Sequence, residues 1–146
     1  MTEVTDPHQV AEAATAAMWA RDRASQAFGM TLEAVGPGTA VVSMAVRADM
    51  VNGHDIGHGG MTFTLADSAF AFASNTYDRV TVGAIAEIRF RAPTRVGDVL
   101  VAAATERERG ERRGIYDVVV TRRGSDEVVA NFVGYCTEIG GSVTGG

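Results

Sequence analysis

An α+β fold, with a curved antiparallel sheet wrapped around one long central helix, is predicted by three features of the sequence. The segment Met61 to Asn75 is apolar on nearly every side, carrying Met61, Phe63, Leu65, Ala66, Ala69, Phe70, Ala71, Phe72 and Ala73. A helix of that composition has to be covered all round. Four β-rich stretches follow it, Val80 to Phe90, Val99 to Glu106, Ile115 to Thr121 and Val128 to Ile139. They are joined at Pro93, Gly97-Asp98, Gly110 to Gly114 and Gly124 to Asp126, and short turns of this kind imply antiparallel strands. A hairpin precedes the helix, Thr31 to Val35 and Ala40 to Arg47 about the turn Gly36-Pro37-Gly38. One sheet with one apolar helix to bury solves the packing by curving around it.

Ahead of the hairpin, Asp6 to Phe28 is Ala-rich with interspersed charges, and Val10, Ala14, Ala17 or Met18 and Arg21 recur at helical spacing. An N-terminal helix is expected there. In the second hairpin strand, period-two alternation sets Val42, Met44 and Val46 on one face and Val41, Ser43 and Ala45 on the other. The chain of 146 residues is the size of one domain, read as a single unit over 1–146 with a flexible tail over 140–146.

Hydrophobic residues make up 46% and charged residues 21%, which excludes a disordered chain. No apolar run approaches the roughly 18 to 20 residues that cross a bilayer, and no basic stretch leads into an apolar one at the N-terminus. A cytoplasmic protein without a membrane partner is expected. The net charge of -5 argues against a nucleic-acid partner, because phosphate backbones are bound by basic stripes. Every basic residue is arginine and none is lysine. Cys136 stands alone in an apolar run, so it forms no internal disulfide and reads as a small core residue.

Chemistry concentrates in Asn52-Gly53-His54-Asp55-Ile56-Gly57-His58-Gly59-Gly60, which runs directly into the apolar helix. A helix N-terminus presents unpaired N–H groups and the positive end of the helix dipole, and so stabilises an anion. Gly59 and Gly60 carry no Cβ to keep a carbonyl oxygen away from that backbone, and the arrangement suits an oxyanion hole. Within the helix, Asp67 sits among small and apolar neighbours, where an unpaired charge is expensive. It must face a cleft, a partner group or another subunit, and a carboxylate in a partly dry cleft can activate water or attack a carbonyl. His54 and His58 are four apart, but the surrounding glycines argue against a helix and no third ligand is evident, so no metal is expected.

Asn52-Gly53-His54, His58-Gly59-Gly60 and Leu65-Ala66-Asp67 together resemble the signature of PaaI-type thioesterases of the hotdog superfamily. The likeness extends through Ile88-Arg89-Phe90-Arg91-Ala92-Pro93, Gly97-Asp98, Gly114-Ile115-Tyr116-Asp117 and Ile139-Gly140-Gly141. It implies a hotdog fold, with sheets joined edge to edge in a homodimer and dimers assembled into a homotetramer. It also implies hydrolysis of phenylacetyl-CoA or its ring-hydroxylated forms without a cofactor, coenzyme A entering only as part of the substrate. By that analogy Asp67 is general base or nucleophile, Gly59 offers its N–H to the thioester oxygen, Asn52 orients water or substrate, and His58 fixes the loop. The family further sets Asp67 across the dimer interface from the Asn52 to Gly60 loop.

The sequence departs from some relatives at the hydroxyl that helps to position water, where Ala71 and Gly83 stand; Ser68 or Thr81 are the candidate substitutes. Gly60, Met61, Phe63, Arg89 and Arg91 are expected to contact substrate, the arginines through phosphate. Trp19, Phe28 and Tyr116 are read as acyl-pocket or core residues, and Arg107 to Arg113 as a solvated hairpin tip or a phosphate site. Two other functions remain on the same fold: a non-catalytic acyl-CoA-binding module, and a hydratase that moves a proton at the α-carbon. A short or medium aliphatic acyl group is the alternative substrate.

Overall fold

Asp22 breaks the Ala-rich N-terminal segment. The computed structural model describes residues 6–145, and in it the single expected helix is two: α1, Pro7–Arg21, and α2, Arg23–Ala27. Asp6 caps α1 by accepting from His8 N, with Pro7 in the first turn where a missing N–H costs nothing. Asp22 ends α1 with its backbone N–H on Trp19 O and starts α2 by accepting from Ser25 N. The buried face of α1 is Ala11, Ala14 and Thr15, small residues that let the helix lie close against the first strand.

The hairpin is β1, Thr31–Gly36, and β2, Thr39–Ala45. Val42, Met44 and Val46 are all buried, as the alternation predicts. A 3-10 turn at Ala48–Met50 and the glycine-rich loop lead into α3, Gly59–Ser74, followed by β3, Thr81–Phe90, β4, Val99–Arg109, β5, Arg113–Arg122, and β6, Val128–Glu138. All pairings are antiparallel, in the order β1-β2-β4-β5-β6-β3. The six-stranded sheet curves around α3, whose Leu65, Ala66, Ala69, Phe70, Phe72 and Ala73 join Met44, Leu100, Val118, Val120 and Phe132 in one core.

Phe70 sets the closest tolerance in that core. Its ring packs near Tyr116 and Phe132, with centroids at 5.9 and 5.7 Å, and lies against the backbone of β6. A Cβ added at Gly134 would stand 2.6 Å from Phe70 Cε1 and Cζ. Phe70 is 2% exposed and has no free direction to move in. Gly134→Ala is therefore expected to destabilise the fold by about 1–3 kcal/mol, the usual cost of overpacking, read from the shift in denaturant midpoint.

β3 is paired on one side only, to β6, and it is the strand with the least cover: Val82, Ile85 and Phe90 are 42%, 59% and 57% exposed. Asn75 ties its start to the end of α3, accepting from Thr81 N and donating to Ala71 O and Thr81 O. The segment after β6 bonds back to the α3–β3 connection. Ile139 N and Val80 N pair with Val80 O and Gly141 O, Val143 is buried, and Thr144 bonds Asp78 through both its N–H and its hydroxyl. Asp78, at φ 61° in a tight turn, presents its carboxylate to that segment. Gly146 lies outside the described residues. No described helix is long and apolar enough to cross a membrane.

Candidate active site

The loop between β2 and α3 is stiffened from inside by Asn52. Its side-chain carbonyl accepts from His54 N at 2.9 Å and Ile56 N at 3.2 Å, while its backbone N–H donates to Ile56 O. This Asx-type turn leaves the amide NH2 as the part of Asn52 free to point outward. The loop is then fastened at two further points, Gly57 N to Thr94 O at 2.8 Å and His58 N to Met50 O at 2.7 Å. Thr94 is 3% exposed and sits in the connection between β3 and β4, where Arg122 donates to Pro93 O and pairs with Asp98.

His58 is the N-cap of α3. Its Nδ1 accepts from Gly60 N at 3.2 Å and its carbonyl accepts from Met61 N at 2.9 Å. Two of the unpaired amides at the helix start are satisfied this way. The amide of Gly59 has no acceptor among the described residues, and it stands at the positive end of a helix of 16 residues. Phe90 covers Gly59 from the edge strand; a Cβ there would lie 3.0 Å from Phe90 Cζ.

Asn52, Ile56, Gly57, Gly59, Thr62, Phe90, Arg91 and Thr94 line a cleft of about 410 Å³. Of the residues singled out in the sequence, the structure thus brings Asn52, Gly59 and Arg91 together, with His58 as the cap behind them. Arg91 also donates to Asn131 Oδ1 at 3.2 Å. Arg89 is exposed on β3, one residue before Phe90. Gly60 is exposed but its N–H is committed to His58. Met61 and Phe63 are partly buried against the core, Phe63 edge-on to Phe132 at 5.4 Å. Tyr116 is 2% exposed and belongs to the core, as do Trp19 and Phe28 at its margin. Arg107 forms a two-pronged pair with Asp117 and Arg109 lies over the ring of Tyr77, so both are engaged on the strands. Cys136 is buried, and burial pushes its thiol upward from the usual range, away from nucleophilic use.

Asp67 is not in this cleft. It follows Gly59 by eight residues on the same helix, about 12 Å at 1.5 Å per residue. Its side chain lies at the surface of the chain. Desolvation raises its pKa from the ordinary Asp value, and the negative charge of Asp22 raises it further. Neither candidate hydroxyl is free beside it. Thr81 Oγ1 donates to Arg79 O at 2.8 Å, and Ser68 Oγ lies 2.8 Å from Ser25 Oγ. Gly57, Thr94, Phe90 and Asp22 went unassigned in the sequence, because each acts through a contact tens of residues away along the chain.

The family model of the thioesterase superfamily matches residues 54–129, from inside the loop into β6. The chain is also 40% identical over 129 residues to acyl-coenzyme A thioesterase PaaI of Escherichia coli K12, covering 88% of this chain and 91% of that one. The chain belongs to the thioesterase superfamily. The solved structure of E. coli PaaI, a protein of the phenylacetic acid degradation operon, superposes with a TM-score of 0.90 at 37% identity, over 92% of this chain and 97% of that one. A point mutant of the phenylacetic acid degradation protein PaaI from Thermus thermophilus does so with a TM-score of 0.77 at 36% identity, over 81% and 100%. This thioesterase thus has the hotdog fold, with α3 as its central helix.

Proposed function

We propose that the chain is a single-domain cytoplasmic acyl-CoA thioesterase that hydrolyses phenylacetyl-CoA and its ring-hydroxylated forms, at sites shared between two copies of itself. The observation that carries the shared site is the separation of Gly59 from Asp67 on one rigid helix. A reacting carbonyl must lie about 3 Å from the amide that binds its oxygen and no more than one water away from the carboxylate that activates that water. One helix cannot bring together groups two turns apart. A second copy, joined along the uncovered β3 edge, supplies Asp67 to the cleft of the first and receives the same in return, which is the self-complementary geometry of a two-fold dimer. Two such dimers form the homotetramer.

In this reading the thioester oxygen sits on Gly59 N–H, and the Asn52 amide holds water or substrate while His58 keeps the helix start in shape. Met61 and Phe63 border the acyl group, Gly60 leaves room for it, and Arg89 and Arg91 face the coenzyme A phosphates. As base, Asp67 takes a proton from water, whose oxygen bonds the carbonyl carbon; the C–S bond breaks and the thiolate leaves to be protonated. As nucleophile, its own oxygen bonds that carbon while the C–S bond breaks and the thiolate leaves to be protonated, and water then cleaves the resulting anhydride to the free acid and the regenerated carboxylate. The raised pKa of Asp67 suits the first role by making the carboxylate a stronger base. The arylacetyl preference rests on the likeness to the two PaaI proteins.

The test is thiol release from a panel of arylacetyl, short aliphatic and medium aliphatic acyl-CoA thioesters, with oligomer size measured by light scattering. The highest kcat/KM is expected on the arylacetyl substrates, from a dimer or tetramer. Release from none of them refutes the enzyme, a preference for aliphatic chains reassigns the substrate, and full activity in a monomer refutes the shared site.

A further inference from the structure

Ser68 directly follows Asp67, and its side chain turns toward the N-terminal helices. Ser68 Oγ is 2.8 Å from Ser25 Oγ, Ser25 Oγ is 2.6 Å from Asp22 Oδ2, and Ser25 N donates to Asp22 Oδ1 at 2.9 Å. A hydroxyl has one proton to give. The carboxylate of Asp22 accepts, which commits the proton of Ser25 to it and the proton of Ser68 to Ser25. The chain therefore has a direction, from α3 through α2 to Asp22, and Ser68 has no proton left for a substrate or a water. Ser25 is 1% exposed, so the link is shielded from competing water.

Capping does not account for this link. Asp22 needs only Ser25 N to cap α2, whereas the step from Ser25 to Ser68 joins residues 43 apart. α2 has five residues, too short to hold itself as a helix in water, so the contact fastens α2 and Asp22 to the turn of α3 that carries Asp67.

We propose that Asp22, acting through Ser25 and Ser68, is a positioning residue of the active site: the hydrogen-bonded strut fixes the turn of α3 that presents Asp67 and keeps a second carboxylate beside it. This rests on Asp67 being the catalytic carboxylate. Among the described residues, Asp22 is the charged group whose field acts on Asp67. The neighbouring Arg21 reaches instead to Val143 O at 3.4 Å. A like charge disfavours the ionised form of Asp67 and so makes it a more effective proton acceptor.

The experiment compares wild type, Asp22→Asn, Ser68→Ala, Ser68→Thr and Asp67→Asn by thiol release from phenylacetyl-CoA across pH, each checked for oligomer size and melting temperature. Asn caps a helix about as well as Asp, so Asp22→Asn removes the charge and leaves α2 in place. Its acid limb of kcat/KM is expected at lower pH than that of wild type. Ser68→Ala is expected to lose kcat several-fold at unchanged KM, with Ser68→Thr restoring it; this arm leaves the α2 cap untouched and decides the matter if Asp22→Asn does not fold. An unmoved acid limb and unchanged kcat, with Asp67→Asn inactive, overturn the strut and leave Asp67 catalytic. Asp67→Asn as active as wild type removes the catalytic reading itself, and the strut with it.

Discussion

Asp67→Asn is expected to lower kcat by about 10²–10⁴-fold, the range for removing a general base, with oligomer size and KM little changed. The amide keeps the shape of the side chain but cannot take a proton or attack a carbonyl. Wild-type kcat/KM should fall on the acid side as Asp67 becomes protonated, at a pH higher than for an ordinary Asp because desolvation and Asp22 both raise its pKa. The same shift has a sign for stability. A carboxylate whose pKa is raised in the folded state binds more protons there than in the unfolded chain, so its contribution is present at low pH and is lost as pH rises through the folded value. Ionised Asp67 therefore weakens the fold at neutral pH. Asp67→Asn should melt higher than wild type at neutral pH, and the difference should shrink in acid. An inactive variant with a higher melting temperature is the signature of a group retained for chemistry against the interest of the fold.

Gly57→Ala is the second large effect. The added Cβ would stand 1.7 Å from Thr94 Oγ1 and 3.0 Å from Thr94 Cβ, with the Thr94 carbonyl at 3.5 Å. Thr94 is buried and stiff at its branched Cβ, and its carbonyl holds Gly57 N, so loop and wall are forced apart together. The displaced part is the segment that places Asn52 and Gly59. A misplacement of about 1 Å at such a site can cost on the order of 100-fold in rate, and the overpacking itself about 1–3 kcal/mol in stability. Thr94→Ala in the same chain removes the nearest colliding atom and is expected to restore a large part of both losses. Rescue well beyond the sum of the single effects would locate the damage at this contact; equal loss in the double variant would place it elsewhere.

The strands, their turns and α3 were legible in the sequence because each is written in a local pattern: alternation in Thr39–Ala45, glycine or proline punctuation between strands, unbroken apolar character in Gly59–Ser74. The loop ahead of α3 was marked by a motif, which also singled out Asp67 as a candidate, and His58 caps that helix. What escaped notice depends on residues far apart. In an Ala-rich stretch Asp22 looks like any surface charge, and only its bond network with Ser25 and Ser68 marks it as the break between two helices. That β3 closes the sheet beside β6, and leaves its other edge bare, follows from pairing between residues far apart in the chain, such as Ile85 and Tyr135. The anchoring of the C-terminal segment by Asp78 has no local sign, since serine, threonine and glycine near a terminus usually mean a loose end.

Phe70 also constrains which side chains β3 can carry at position 83. A Cβ at Gly83 would lie 3.0 Å from Phe70 Cε2, and one at Gly134 nearer still. A side chain at Gly83 is thus accommodated only if the Phe70 ring gives way by a few tenths of an ångström. Serine at position 83 is therefore expected to be tolerated better beside Phe70→Leu than beside the wild-type ring, read from the denaturant midpoints of the single and double variants.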